Sequence, residues 1–97
     1  MFAERIGDLH MLENFVGKQV VVDLCSPFVC LGRLEKFDDL FLLLRDADLH
    51  DLRDTETSRE NYVAASVATG IKRNRKRVLI ARREVAAVTR LEDFVDE

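Results

Sequence analysis

The sequence of 97 residues has no tryptophan, one tyrosine, one proline, two histidines and two cysteines. So few histidines and cysteines make no metal site with a recognisable ligand spacing, and no cofactor is expected. Cys25 and Cys30 form a C-x-x-x-x-C pair. We expect two reduced, partly buried thiols, with a redox or bridged pair as the alternative. No catalytic constellation is present, so the sequence does not indicate an enzyme.

Long apolar runs are also missing. No segment approaches the ~20 apolar residues of a transmembrane helix. The first residues, MFAERIGD, carry charges where a signal peptide has an apolar core. These absences predict a cytoplasmic protein with no membrane partner. We expect residues 1–97 to form one domain. Such a short chain buries only a little over ~60% of its unfolded surface, so association with other copies would add stability.

Three β-strands are predicted in close succession. They lie near residues 18–25, 28–37 and 40–46. In the first, Val20, Val22 and Leu24 recur at every second position, the period of a half-buried strand. Gly32 inside the second predicts a sharp bend or a close approach of two backbones, as at a barrel corner. The third is apolar from residue 40 to residue 44, so we expect both of its faces to be covered.

Residues 47–77 interrupt this pattern with an insert that is acidic at its start and basic at its end. Ser58 is a good helix cap and Gly70 a good helix stop, so a helix is predicted between them. A strand is the alternative, because the apolar residues there suit either structure. Tyr62 is expected to pack this insert on the strands, with stacking on a nucleic-acid base as the alternative.

The two ends of the chain complete the predicted fold. A short helix capped by Asp8 and ended by Gly17 follows loosely held residues 1–7. Two more strands are expected near residues 77–81 and 85–89, and the tail can pack back through its apolar side chains. The sequence therefore predicts a mostly β fold: an N-terminal helix and a small, strongly bent, five-stranded antiparallel barrel, with a helix in the insert before the fourth strand.

This order of elements resembles the Sm and Sm-like family, whose barrel is of the SH3 type. The family's first motif, V-x-V-x-L, a turn, G-x-L, then F-D, resembles Val20, Val22, Leu24, Gly32, Leu34, Phe37 and Asp38. Its second motif resembles residues 78–88. The resemblance covers residues 8–46 and 76–91 and implies a ring of identical subunits, five to seven in number. It places the subunit interface on the fourth and fifth strands. The candidate interface residues are Val78, Leu79, Ile80, Val85 and Ala87.

The sequence departs from the family where the family reads uridine. The Asn that follows Phe-Asp in the family is absent from Asp39-Leu40-Phe41-Leu42. The family's Arg-Gly is replaced by Ala81-Arg82, which removes the glycine that lets the backbone approach a base. Of the residues that form the family's pocket, only Asp38 is retained. The resemblance therefore implies the scaffold and not the uridine pocket.

Cations remain that favour RNA binding through phosphates, with weak base preference. The candidate RNA-binding residues are Asp38, Asp39, Lys72, Arg73, Arg75, Lys76, Arg77, Arg82 and Arg83. The alternative for residues 72–77 is a solvated segment paired with the acidic half of the insert. The alternative for Arg82 and Arg83 is a salt bridge between subunits. The competing function is a protein-only structural or adaptor ring that has lost its RNA site. The apolar hairpin tip, at residues 28–31, is either an ordinary core strand or a contact to a second ring or protein partner.

Overall fold

The computed structural model describes residues 11–95 and arranges five strands in one antiparallel sheet. The strands are β1 (Gln19–Leu24), β2 (Phe28–Phe37), β3 (Phe41–Asp51), β4 (Arg75–Ala81) and β5 (Val85–Arg90), and the helix α1 is Arg59–Thr69. Short 3₁₀ turns occupy Met11–Phe15, Leu52–Asp54, Arg82–Glu84 and Leu91–Asp93. The sheet order is β4-β3-β2-β1-β5, so β4 and β5 form its two edges.

The predicted N-terminal helix is a 3₁₀ turn over Met11–Phe15 in the part of the chain that the structure describes. Gly17 follows with φ of 84°, a backbone conformation that glycine adopts without strain. Its amide donates to the carbonyl of Leu34 at 2.8 Å, which ties the end of this turn to β2. The proposed cap Asp8 and residues 1–7 lie outside the described residues.

The barrel core lies between the inward faces of the bent strands. Leu34 and Leu44 are fully buried there, and Leu12 and Phe15 pack against the same cluster from the N-terminal turn. The prediction that both faces of β3 are covered is wrong within residues 11–95. Phe41 is 38% exposed and Leu43 is partly exposed, because only every second side chain of β3 points into the barrel.

A second apolar cluster lies on the outer face of β1 and β2, beneath α1. Val29 and Leu31 are fully buried in it against Val63 of the helix, and the tail residue Leu91 closes it. The core-strand interpretation of the hairpin tip is therefore confirmed for Val29 and Leu31, which are not available to a partner.

The helix predicted in the insert is confirmed. Ser58 accepts a hydrogen bond from the amide of Asn61 at the N-cap, and Gly70 ends the helix with φ of 92°. The bounds of the insert differ from the prediction, because β3 continues to Asp51 and β4 already begins at Arg75. The polar residues that resemble a loop in the sequence pair with the first half of β2 instead, after a positive φ at Asp46 bends the strand.

A polar clamp of Asp48, Tyr62 and Asn74 fastens α1 to the end of β3. The Tyr62 hydroxyl donates to Asp48 Oδ2, and Asn74 Nδ2 donates to Asp48 Oδ1 at 3.1 Å. The ring of Tyr62 stacks on His50 with 4.1 Å between centroids. The packing role predicted for Tyr62 is thus confirmed. Asp48 is only 7% exposed, and this burial raises the pKa of its carboxyl group.

Replacing Tyr62 with phenylalanine is expected to lower the free energy of unfolding at pH 7 by about 1–3 kcal/mol, since it leaves a buried carboxylate oxygen without its donor. Because the folded pKa of Asp48 is raised, its contribution to stability is full below the ordinary value of 3.8 and is lost as pH rises through the raised value. The destabilisation should therefore shrink in acid. Urea unfolding at several pH values tests this, and an equal loss at every pH would contradict it.

The two cysteines are free thiols. Cys30 is buried in the barrel core, and burial raises the pKa of its thiol to about 12, which makes it unreactive. Cys25 is exposed, which corrects the expectation that both thiols are partly buried; it lies just beyond the end of β1, where the chain turns toward β2.

In residues 11–95 no helix is both long and apolar enough to span a membrane. Within the same range, no three potential ligands among His, Cys, Asp and Glu group closely enough to hold a metal ion.

Candidate functional site

Two turns lie side by side at one end of the barrel. The β2–β3 turn is organised by Asp38, whose Oδ1 accepts from the amides of Leu40 and Phe41, each at 2.8 Å. The amides of Leu40 and then of Phe41 hold the pKa of Asp38 below its usual range. The carboxylate of Asp38 therefore shapes the turn through its Oδ1. Asp39 beside it is exposed.

The β4–β5 turn docks on the first turn through Arg82. The amide of Arg82 donates to the carbonyl of Leu40 at 2.8 Å, and its Nη1 donates to the carbonyl of Asp38 at 2.7 Å. The guanidinium also lies 5.7 Å from the centre of the Phe37 ring. Arg82 is thus a positioning residue that joins the two turns, and the salt bridge between subunits that is its alternative stays a prediction.

Arg83 is the more available cation of this turn pair, which we define as residues 37–41 and 81–85. Its side chain is 87% exposed and lies 3.8 Å from Glu84 Oε2. An exposed pair at this distance adds little stability, so the guanidinium can exchange its partner for a ligand at small cost. A guanidinium presents several donors in a plane that matches the oxygens of a phosphate.

The basic tract of residues 72–77 is partly neutralised within the chain. Arg73 pairs with Asp46, and Arg77 Nε lies 3.3 Å from Glu35 Oε1. Arg75 donates to the carbonyl of Asn74 at 3.0 Å. Lys72 and Lys76 are exposed. The tract therefore combines paired arginines with exposed lysines, and the two carboxylates that pair with it, Asp46 and Glu35, both lie on strands.

The candidate interface residues differ in how exposed their side chains are, and on β4 this exposure alternates from residue 78 to residue 80. Leu79 is 59% exposed, whereas Ile80 is only 6% exposed and belongs to the barrel core. The Ile80 side chain therefore faces its own barrel core, so Ile80 can reach a neighbouring subunit only through its main chain. Val78 and Val85 are partly buried against the same core, and Ala87 is exposed.

Two further arginines are not among the candidates that the sequence predicts, because they are scattered along the chain. Arg33 on β2 is opposite Arg45 on β3, and Arg45 is opposite Arg77 on β4. Cations that stand this far apart in the sequence form no charge run. Only the strand register brings them together, and no local signal in the sequence reports it.

The architecture is that of the Sm and Sm-like proteins. No protein-family model matches the sequence, and no curated protein resembles it significantly in sequence. The chain is similar to the Sm protein of Pyrococcus abyssii solved in complex with a uridine heptamer, with 21% identity, a TM-score of 0.58, and 84% of this chain and 94% of that chain covered. It is also similar to the SmAP1 heptamer of P. aerophilum, with 24% identity, a TM-score of 0.56, and 93% and 96% covered. For an Sm-like protein of Archaeoglobus fulgidus the identity is 18%, the TM-score 0.57, and the coverage 84% and 91%.

Proposed function

We propose that this chain forms a ring of identical subunits that binds single-stranded RNA through phosphate contacts, with weak base preference. The observation that carries the RNA part is the turn pair, in which Arg82 is fixed by two main-chain carbonyls and presents the exposed Arg83 beside it. In a ring this cation recurs once per subunit around one axis, so weak single contacts add to useful affinity.

The open sheet supports the ring. Because β4 and β5 are the two edges, each exposes main-chain donors and acceptors that a neighbouring copy can satisfy. Joining the β4 edge of one copy to the β5 edge of the next is a heterologous contact, and it closes when the rotation per subunit divides a full turn. We propose five to seven copies; the P. aerophilum structure similar to this chain is a heptamer.

A protein-only ring is the second candidate, and one observation favours it. Arg73, Arg77 and Arg82 all have contacts within the chain, so fewer cations are available than the sequence offers. The two candidates differ in one measurable property, which is binding of RNA by the assembled wild-type protein at low salt.

Replacing Arg83 with alanine is expected to weaken binding of oligo-U, oligo-A and a mixed single strand by similar factors, because phosphate contacts carry no sequence information. The magnitude of the salt slope should fall by about 0.7 for each phosphate that the variant no longer binds. Fluorescence anisotropy across a salt series measures both quantities.

Arg53→Ala is the matched control for this experiment. Arg53 is exposed and paired with Asp51 at 2.8 Å, at the end of β3 opposite the turn pair. We expect it to bind RNA as the wild type does. A uridine preference that survives high salt would contradict phosphate-led binding, and no binding by the wild type at low salt would leave the protein-only ring.

A further inference from the structure

Three arginines form a row across the outer face of the sheet. Arg33, Arg45 and Arg77 occupy directly paired positions on β2, β3 and β4. The next paired positions, Leu34, Leu44 and Val78, belong to the barrel core. Because side chains alternate along a strand, the arginines point to the opposite, outward face. We call these three residues the arginine row.

The row is under-neutralised. Like charges directly opposite one another in a sheet are destabilising. Within residues 11–95, Arg77 is the member of the row that pairs with a carboxylate, with its Nε 3.3 Å from Glu35 Oε1. Arg33 Nη1 is held by the carbonyl of Gly17, which fixes its position without neutralising its charge. Arg45 is exposed and forms no ion pair with any residue between 11 and 95. The sheet therefore bears a repulsion that a bound anion would relieve.

Positive charge continues beyond the row at both ends. Arg75 is paired with Ala47 further along β3 and β4 and, two residues from Arg77, lies on the same face as the row. At the other end, Lys18 and Arg33 line a shallow groove of about 420 Å³ that Val67 of α1 borders, together with one acidic residue, Glu92. The row itself crosses two strand spacings, or about 10 Å. The result is a surface on which cations outnumber carboxylates rather than one isolated charge.

We propose that the arginine row binds the sugar-phosphate backbone of RNA, as a contact face separate from the turn pair. This inference rests on the proposed function. Guanidinium groups suit it because each can donate two parallel hydrogen bonds to a phosphate. Arg45 lies four residues along β3 from Phe41, about 13 Å from the turn pair, so RNA that contacts Arg83 can continue along the sheet to the row.

The test uses Arg45, because its removal leaves no carboxylate without a partner. Arg45→Ala and Arg45→Glu are compared with wild type, with the control Arg53→Ala and with Arg83→Ala, by anisotropy of labelled oligo-U and oligo-A. We expect Arg45→Ala to weaken the binding of both oligonucleotides about fivefold or more when several copies contact the strand. Arg45→Glu should weaken the binding further, and each of the two variants should have a smaller salt slope than wild type.

Thermal stability provides a readout that separates binding from folding. Without RNA, Arg45→Glu should raise the melting temperature by about 1 to 4 °C, because it replaces two repulsive cross-strand pairs with attractive ones. Lower affinity together with equal or higher stability supports the proposal. If both Arg45 variants bind RNA with wild-type affinity while Arg83→Ala binds weakly, the proposal that the arginine row binds RNA is wrong and the proposed function still stands. No binding of RNA by the wild type would overturn both.

Discussion

Replacing Leu79 with aspartate is expected to dissociate the proposed ring and leave the barrel stable, whereas the same change at Val78 should destabilise the barrel itself. Leu79 is 59% exposed on the edge strand β4, so a carboxylate there remains hydrated in the single chain. In the proposed ring this side chain becomes covered, and burying a leucine contributes about 1.5–3 kcal/mol at each interface. An aspartate would remove this contribution to the interface and would also have to lose its hydration when the interface forms.

Val78 differs from its neighbour by one step of the strand alternation. It is opposite Leu44 and packs against the barrel core. A carboxylate at this position loses water without gaining a donor, at a cost of at least about 2 kcal/mol. Since small domains have only about 5–15 kcal/mol of stability, and one this short is at the lower end, a large part of the free energy of unfolding would be lost.

Light scattering coupled to size exclusion measures assembly, and circular dichroism measures folding. Val67→Asp is the matched control, because Val67 is a 50% exposed apolar residue that belongs to α1 and not to either edge strand. It should keep the ring. If the Leu79→Asp variant has the same size as wild type, the interface must lie on another surface. If the wild-type protein is a monodisperse monomer at micromolar concentration, the proposal of a ring is wrong.

Local signals in the sequence predicted the elements that depend on local physics. Alternation of Val20, Val22 and Leu24 indicated β1, and the cap and stop residues Ser58 and Gly70 indicated α1, because a cap acts within one helical turn. The extension of β3 was missed for the same reason. Asp48 is typical of a loop in the sequence, yet it lies in a strand because donors 14 and 26 residues away satisfy its carboxylate.

The sequence predicted which residues make up the candidate site, but not which of their side chains are available to a ligand. The sequence shows that Arg82 and Arg83 are neighbours, but only the docking of the two turns shows that the first is held by carbonyls and the second is exposed. The uncovered side of β3 is a comparable case. The apolar run from residue 40 to residue 44 predicts cover on both faces, and the single chain covers one. The proposed ring would supply further cover beside Leu79.

Gly32 allows the sheet to bend tightly, and enlarging it is expected to have one of the largest effects on stability. A Cβ at this position would lie 3.0 Å from the Cβ of Ala47, 3.1 Å from its Cα and 3.2 Å from the carbonyl oxygen of Arg45. Two of these three atoms belong to the backbone and cannot rotate away. The close approach predicted from a glycine inside a strand is thus confirmed.

Gly32→Ala should therefore lower the free energy of unfolding by about 1–3 kcal/mol, and Gly32→Val by more, through overpacking at the centre of the barrel. For a domain of this size each kcal/mol corresponds to about 4–8 °C in melting temperature. Thermal unfolding followed by circular dichroism measures the loss. Gly17→Ala is not a suitable control, because its positive φ of 84° adds strain of a different origin.

The sharper comparison is a double-mutant cycle with Ala47→Gly. Removing the Ala47 Cβ removes the closest of the three contacts that the new Cβ at residue 32 would make. The double variant should therefore be more stable, by about 0.5–3 kcal/mol, than the sum of the two single losses predicts. Recovery should be incomplete, because the Cα of residue 47 and the Arg45 carbonyl stay in place and glycine weakens a strand by about 0.5–1 kcal/mol. Strictly additive losses would mean that the two strands move apart to accommodate the added Cβ. The close approach of β2 to β3 would then not explain why residue 32 is glycine.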